Sequence, residues 1–127
     1  MAHDNIPSIL YVDDEQENLD SFQLVFMGDY DIYLANSAKE GLIILKKQVT
    51  KSRPIQLVIS DHKMPETTGI EFLKQLNKEY PKLAKILLTG FSDAQTIKEA
   101  AQQKVLCLSK PWIEKELKDN IDSVLQF

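Results

Sequence analysis

Five side chains in this sequence could do chemistry together: the carboxylates of Asp13, Asp14 and Asp61, the hydroxyl of Thr89 and the ammonium of Lys110. Three carboxylates gathered at one place repel one another and raise each other's pKa, so such a nest is tolerable only with a cation in it. All-oxygen ligation selects a hard ion, and few protein ligands with room for water suit Mg2+ better than Ca2+. No Cys/His cluster is present to hold zinc, and His3 and His62 read as ordinary terminal and loop residues. A magnesium site that also wants a lysine and a hydroxyl points to phosphoryl transfer, whose transition state spreads negative charge over oxygens that cations and donors can neutralise from several sides. One aspartate is then free to attack phosphorus and form an acyl phosphate. That part falls to Asp61, and metal binding to the Asp13–Asp14 pair. Singly, each of these residues is as well explained by a helix cap, a loop or a strand end. Their common position at strand ends makes the case.

The elements that must supply those ends are legible from hydrophobic pattern. Ser8–Val12 and Leu57–Asp61 are short apolar runs that stop at carboxylates. Tyr30–Ala35 alternates and reads as an edge strand, while Lys85–Thr89 and Val105–Ser109 read as the fourth and fifth. Between them lie helical patterns. Leu19, Phe22 and Phe26 precede a stop at Gly28. A capping box at Ser37–Glu40 leads a stripe of Ala38, Leu42, Leu45 and Val49, followed by a polar connection from Lys51 to Pro54. A second box at Thr68–Glu71 leads Ile70, Leu73, Leu76 and Tyr80, closed by Pro81. Ser92–Gln95 opens a fourth helix, with Ile97 and Ala101 expected to face inward, and the last helix carries Leu117, Ile121, Val124 and Leu125.

Strand and helix thus alternate five times, which predicts an α/β fold: a doubly wound, five-stranded parallel sheet with helices on both faces, a flavodoxin-like three-layer sandwich. Right-handed crossovers place all strand C-termini on one rim, and order 2-1-3-4-5 is the common solution for five strands. The 127 residues suffice for a single domain, 1–127, with residues 1–7 a loose lead-in. The net charge of -4 argues against a nucleic-acid surface. A lone cysteine forms no internal disulfide, so a reducing cytoplasm is expected. No apolar run approaches the roughly 20 residues that span a bilayer, so no membrane partner is expected.

The ordered set Asp13-Asp14, Asp61 with Met64-Pro65 and Gly69, Thr89-Gly90 and Lys110-Pro111 resembles the receiver domain of two-component response regulators, from Ile9 to Leu125. The resemblance implies that Asp61 receives a phosphoryl group from a histidine on a sensor kinase or phosphotransfer protein. It implies that Asp14 holds Mg2+ directly and Asp13 through water, with Asp61 and the backbone carbonyl of Lys63 completing the ligands. It further implies that Lys110 pairs with the phosphoryl group, that Thr89 moves toward it, and that the Lys110–Pro111 bond is cis. Output is expected at the face of the fourth helix, fifth strand and last helix, toward an output domain or a target protein. A homodimer is also left open. The module itself turns over no substrate.

Two departures stand out. Receivers usually carry Tyr or Phe three positions before the lysine as a rotamer switch, and here that position is Cys107, read as a small core thiol. Trp112 reads chiefly as a cover for the end of the core. By the resemblance, Lys63 and Phe91 flank the path of the hydrolytic water, and a bulky Phe91 is expected to prolong the phosphoryl lifetime. The Lys-Pro-Trp ending resembles receivers joined to cyclic-nucleotide enzymes. Three other readings compete. An aspartyl-phosphate phosphatase would have its nucleophile after the first strand with a second aspartate two residues on. A flavin module would have Ser, Thr and Gly after that strand, where three acids would repel phosphate. A degenerate receiver would act only in docking, and metal-dependent phosphorylation would exclude it.

Overall fold

The computed structural model describes residues 6–48, 54–90 and 94–125. Its elements run β1 (Ser8–Val12), α1 (Gln16–Phe26), β2 (Asp31–Ala35), α2 (Ala38–Gln48), β3 (Leu57–Asp61), α3 (Gly69–Glu79), β4 (Ala84–Thr89), α4 (Ala94–Gln102), β5 (Leu106–Ser109) and α5 (Glu114–Val124). The five strands are parallel, as the alternating pattern predicts, and their order is the common one for five strands, β2-β1-β3-β4-β5. Register is set by the apolar faces, because a one-residue slip would turn each strand's buried set outward. Val12 lies beside Ala35 and Ser60, and Asp61 lies beside Leu88. The ends of β1, β3 and β4 are thereby level on one rim.

The two faces of the sheet bury different cores. Alternate residues Ile9, Tyr11, Leu57, Ile59, Ile86 and Leu88 pack with Leu19, Phe22 and Phe26 of α1 and Leu117 and Ile121 of α5. The other alternation, Leu10, Val12, Val58 and Leu87, packs with Leu45, Ile70, Phe72, Leu73, Leu76 and Ala100 of α2, α3 and α4. Burial of these side chains, at about 1.5–3 kcal/mol each, is what holds helices to both faces.

Local chemistry sets the helix starts. Thr68 caps α3 by accepting from the Glu71 N–H at 3.3 Å. The Ser37 hydroxyl accepts from Glu40 N–H at 3.1 Å, while the Glu40 carboxylate reaches one residue further back to the Asn36 N–H at 2.6 Å. Several expectations are corrected. The inward residues of α4 are Thr96 and Ala100, with Ile97 43% exposed and Ala101 exposed, so the helix is rotated by one residue from the face its largest apolar side chain suggested. The stop at Gly28 holds in position, since α1 ends at Phe26 with a right-handed Met27 as its C-cap, but Gly28 itself takes no positive φ. Tyr80 is the C-cap of α3, one residue past its end, and packs against the same core as Ile70, Leu73 and Leu76, as expected. Pro7 is not loose, because its carbonyl accepts from the Asp31 N–H at 2.8 Å and extends the β1–β2 ladder. The first five residues, Val49 with the start of the polar connection, and Phe91-Ser92-Asp93 lie outside the described residues.

Candidate functional site

β1 delivers Asp13 to the rim as a fully buried residue, and β3 delivers Asp61 at 5% exposure. Asp14 follows Asp13 and is exposed. One oxygen from each of the three carboxylates lies within 4.8 Å of the others. Burying charge at that density requires compensation. It comes first from Lys110, at the end of β5, whose Nζ is 2.9 Å from Asp61 Oδ1 and 3.8 Å from Asp13 Oδ2. Lys110 is brought there by its own backbone, since its N–H donates to the Thr89 carbonyl at 2.9 Å. The Lys110–Pro111 bond is cis, as the resemblance implies. Thr89 is buried at the end of β4.

Asp13 is held by several donors. Its Oδ1 accepts from the Glu15 N–H at 3.0 Å, and its Oδ2 accepts from the Asn18 side-chain amide at 3.1 Å and the Tyr11 hydroxyl at 3.4 Å. Sequence reasoning missed Tyr11 and Asn18. Tyr11 could have been found from the two-residue period of a strand, which puts it on the same side as Asp13. Asn18 could have been found from its place in the first turn of α1, one turn beyond the acids.

Asp61 is less well satisfied. Burial raises its carboxyl above the usual value of 3.8 and the charge of Asp13 adds to this, while the hydrogen bond and charge of Lys110 and the His62 N–H pull the other way. Burial pulls the Lys110 ammonium down, but the hydrogen bond and charge of Asp61, then Asp13 and Glu15, outweigh it and leave it above 10.5. A buried carboxylate with one ammonium on one oxygen, and two further acids at hand, remains short of positive charge. The donor set is all oxygen, and Asp14 faces solvent. These residues therefore fit a hard divalent cation.

The loop after Asp61 is tied twice: His62 N–H donates to the Leu88 carbonyl at 2.9 Å, and Gly69 N–H donates to the His62 carbonyl at 2.7 Å. Glycine is required at 69 by contact rather than by φ. A Cβ there would sit 2.2 Å from the Asp61 carbonyl oxygen. His62 reaches α4, its Nε2 3.4 Å from Thr96 Oγ1, and its Nδ1 is buried without a hydrogen-bond partner. Lys63 is exposed. Cys107 is half-buried against the aliphatic core, and burial pushes its thiol above the ordinary value. It is a packing residue in β5.

The family model for the response regulator receiver domain matches residues 9–122. The hydrogenase transcriptional regulatory protein HoxA of Cupriavidus necator is 26% identical over 97% of this chain, which spans only 25% of that protein. A probable chemotaxis protein CheY of Rhizobium etli is 34% identical, with 91% of this chain and 90% of that protein covered. Among solved structures, the signal receiver domain of an HD domain-containing protein from Pseudomonas fluorescens superposes with a TM-score of 0.86 at 31% identity, over 95% of both chains.

Proposed function

The chain belongs to the response regulator receiver domain family, and on that premise we propose that it is a phosphorylation-dependent signalling module whose acceptor is Asp61. The observation that carries this reading is the Lys110 Nζ–Asp61 Oδ1 pair at 2.9 Å, set among two further acids on the rim. Lys110 holds one carboxylate oxygen and leaves the other to attack phosphorus. The P–N bond of a phosphohistidine breaks as the new P–O bond forms, and the imidazole leaves as the neutral ring once it takes up a proton. Hydrolysis of the acyl phosphate returns the carboxylate and inorganic phosphate. Asp14 directly, Asp13 through water, Asp61 and the Lys63 carbonyl would hold Mg2+, which when bound neutralises charge on the transferring oxygens. Asn18, Tyr11 and the Glu15 N–H keep Asp13 aimed. Thr89, buried at the end of β4, supplies a hydroxyl to the phosphoryl group.

The donor is a sensor histidine kinase or a histidine phosphotransfer protein, and the output leaves through the α4–β5–α5 face, where Ile97 and Ile113 are exposed. No described helix is long and apolar enough to cross a membrane, and we place the module in the cytoplasm as a regulatory domain without substrate turnover. Phosphorylation acts by shifting a pre-existing equilibrium of that face, by no more than the differential stability the phosphoryl group confers.

Incubation with Mg2+ and a small phosphodonor, followed by mass measurement, tests this. Wild type is expected to gain one phosphoryl group and Asp61→Asn none. A gain in both, or in neither when both are folded, overturns the reading.

A further inference from the structure

His62 stands between two of the groups assigned to the cation, the Asp61 side chain and the Lys63 carbonyl, and each of its polar groups but one is tied to a different element. Its N–H donates to the Leu88 carbonyl of β4 at 2.9 Å, and its carbonyl accepts from the Gly69 N–H at the start of α3 at 2.7 Å. With both ends of the residue held, the half-buried ring is carried wherever the Asp61–Lys63 backbone goes. That ring meets α4. Its Nε2 lies 3.4 Å from the hydroxyl of Thr96, a residue in the first turn of the helix and 4% exposed. A hydroxyl donates or accepts, so either tautomer of the ring serves the contact. The distance is at the long end of hydrogen bonding, and Nδ1 is buried with no partner. The ring is therefore under-satisfied where it stands.

α4 is the helix suited to answer it. Its buried side chains are the small Thr96 and Ala100, where α3 buries Ile70, Phe72, Leu73 and Leu76, and apolar stabilisation scales with area. Polar ties from α3 hold its far half: Lys74 Nζ is 3.5 Å from Glu99 Oε2, and the Asn77 amide donates to the Gln103 carbonyl at 2.8 Å. The near end meets the ring of His62 instead. Cys107, in β5, is too small to swing between inner and outer positions. We propose that His62 is a positioning residue that couples the occupancy of the acidic rim to the first turn of α4 through Thr96. The inference rests on the reading that Asp61 and the Lys63 carbonyl help hold a divalent cation. Filling the site draws on both of those groups, the residue between them turns with them, and its ring displaces Thr96. Little apolar burial opposes that shift, so the exposed Ile97, next along the helix, moves with it.

In the 15N-labelled full chain, the Gly69 amide reports the rim end of this link and the Thr96 and Ile97 amides report the helix end. All three are expected to shift saturably as MgCl2 is added to wild type, and again with beryllofluoride. His62→Phe keeps a ring and both main-chain bonds but loses the nitrogens. It should leave the Gly69 shift in place, weaken Mg2+ binding by calorimetry by less than about fivefold, and cut the Thr96 and Ile97 shifts to about a third or less. Thr96→Val, without the hydroxyl, should do the same, and Thr96→Ser, with it, should keep the shifts. The double variant His62→Phe/Thr96→Val should lose no more than either single one. Helix shifts that survive both His62→Phe and Thr96→Val overturn the inference. So do wild-type Thr96 and Ile97 amides that stay unmoved while Gly69 shifts and calorimetry shows Mg2+ bound, an outcome that leaves the function standing and needs no variant to fold. No heat of Mg2+ binding in wild type overturns both.

Discussion

Two lysines sit at opposite ends of the same sheet, and they differ in what faces them. Lys110, on the rim with the strand C-termini, meets the carboxylates of Asp61 and Asp13 and keeps 23% of its side chain open to solvent. Lys85, near the start of β4, is 5% exposed and donates to the carbonyls of Tyr80, at 3.1 Å, and Leu83. Carbonyl dipoles satisfy an ammonium's protons but do not cancel its charge. Burial therefore lowers the Lys85 pKa, whereas Lys110 is raised above the same ordinary value of 10.5. The neighbourhoods match this contrast. Around Lys110 the rim is acidic and hydrogen-bonded. Near Lys85 lies an apolar hollow of about 690 Å³ lined by Leu45, Ile55, Tyr80, Leu83 and Leu125. Lys85 is thus a plug for the end of α3, and Lys110, in the proposed function, a cation placed to meet an arriving anion.

Substitution at each lysine should separate the roles cleanly. Lys110→Met is expected to slow phosphorylation by about 100-fold or more, the usual scale for removing a preorganised electrostatic partner, with little change in melting temperature. A rate near wild type, read by mass or by a small-phosphodonor time course, would erase the distinction. Lys85→Met should leave phosphorylation intact and cost about 1–2 kcal/mol in a urea titration, because the Tyr80 and Leu83 carbonyls lose their donor. A gain in stability would mean that burying the charge outweighs those bonds.

The alkaline limb sharpens the comparison further, because the two shifts have opposite signs. Lys85 has a folded pKa below its unfolded value, so the unfolded chain binds more protons in that interval and stability climbs with pH up to about 10.5. Lys110 has a folded pKa above its unfolded value, so its stabilisation is complete below 10.5 and is lost as pH rises through the folded value. Melting curves against pH should lose the climb in Lys85→Met and the later fall in Lys110→Met. The smallest effect is expected at Asp61. Its raised pKa means that its contribution is complete below 3.8 and is lost as pH rises through the folded value. Asp61→Asn should therefore melt slightly higher than wild type at neutral pH and lose that advantage in acid.

Much of this was readable in the residues. Strand runs ending in acids, a hydroxyl and a lysine gave the parallel sheet and its rim, because a buried strand must be apolar along its length and polar where it emerges, while the strand order came only from the common solution for five strands. The cis bond at Lys110–Pro111 followed from the resemblance, not from any pattern. What failed to show was decided in three dimensions. The inward face of α4 fell on Thr96 and Ala100 because small side chains allow close approach to the neighbouring helix and sheet, and Ile97 was left outside. Lys85 entered the sequence reading only as the first residue of the fourth strand, since nothing in the sequence places the carbonyls that receive it. Asp13's contact with Asn18 joins the end of a strand to a helix across a turn whose path the residues do not state, whereas its contact with Tyr11 follows the two-residue period of β1.

The stitch from Gly69 to the His62 carbonyl has a consequence for how this family member can vary. It closes the stretch that follows Asp61 into a ring of fixed circumference, fastened at the other side to β4 through the His62 N–H. One residue added or removed inside that ring could not be taken up as slack. It would displace the Lys63 carbonyl and press a side chain into the Asp61 backbone where none fits. Changes in loop length therefore belong elsewhere on the molecule, and this short hoop keeps its length while its outward side chains are free to change.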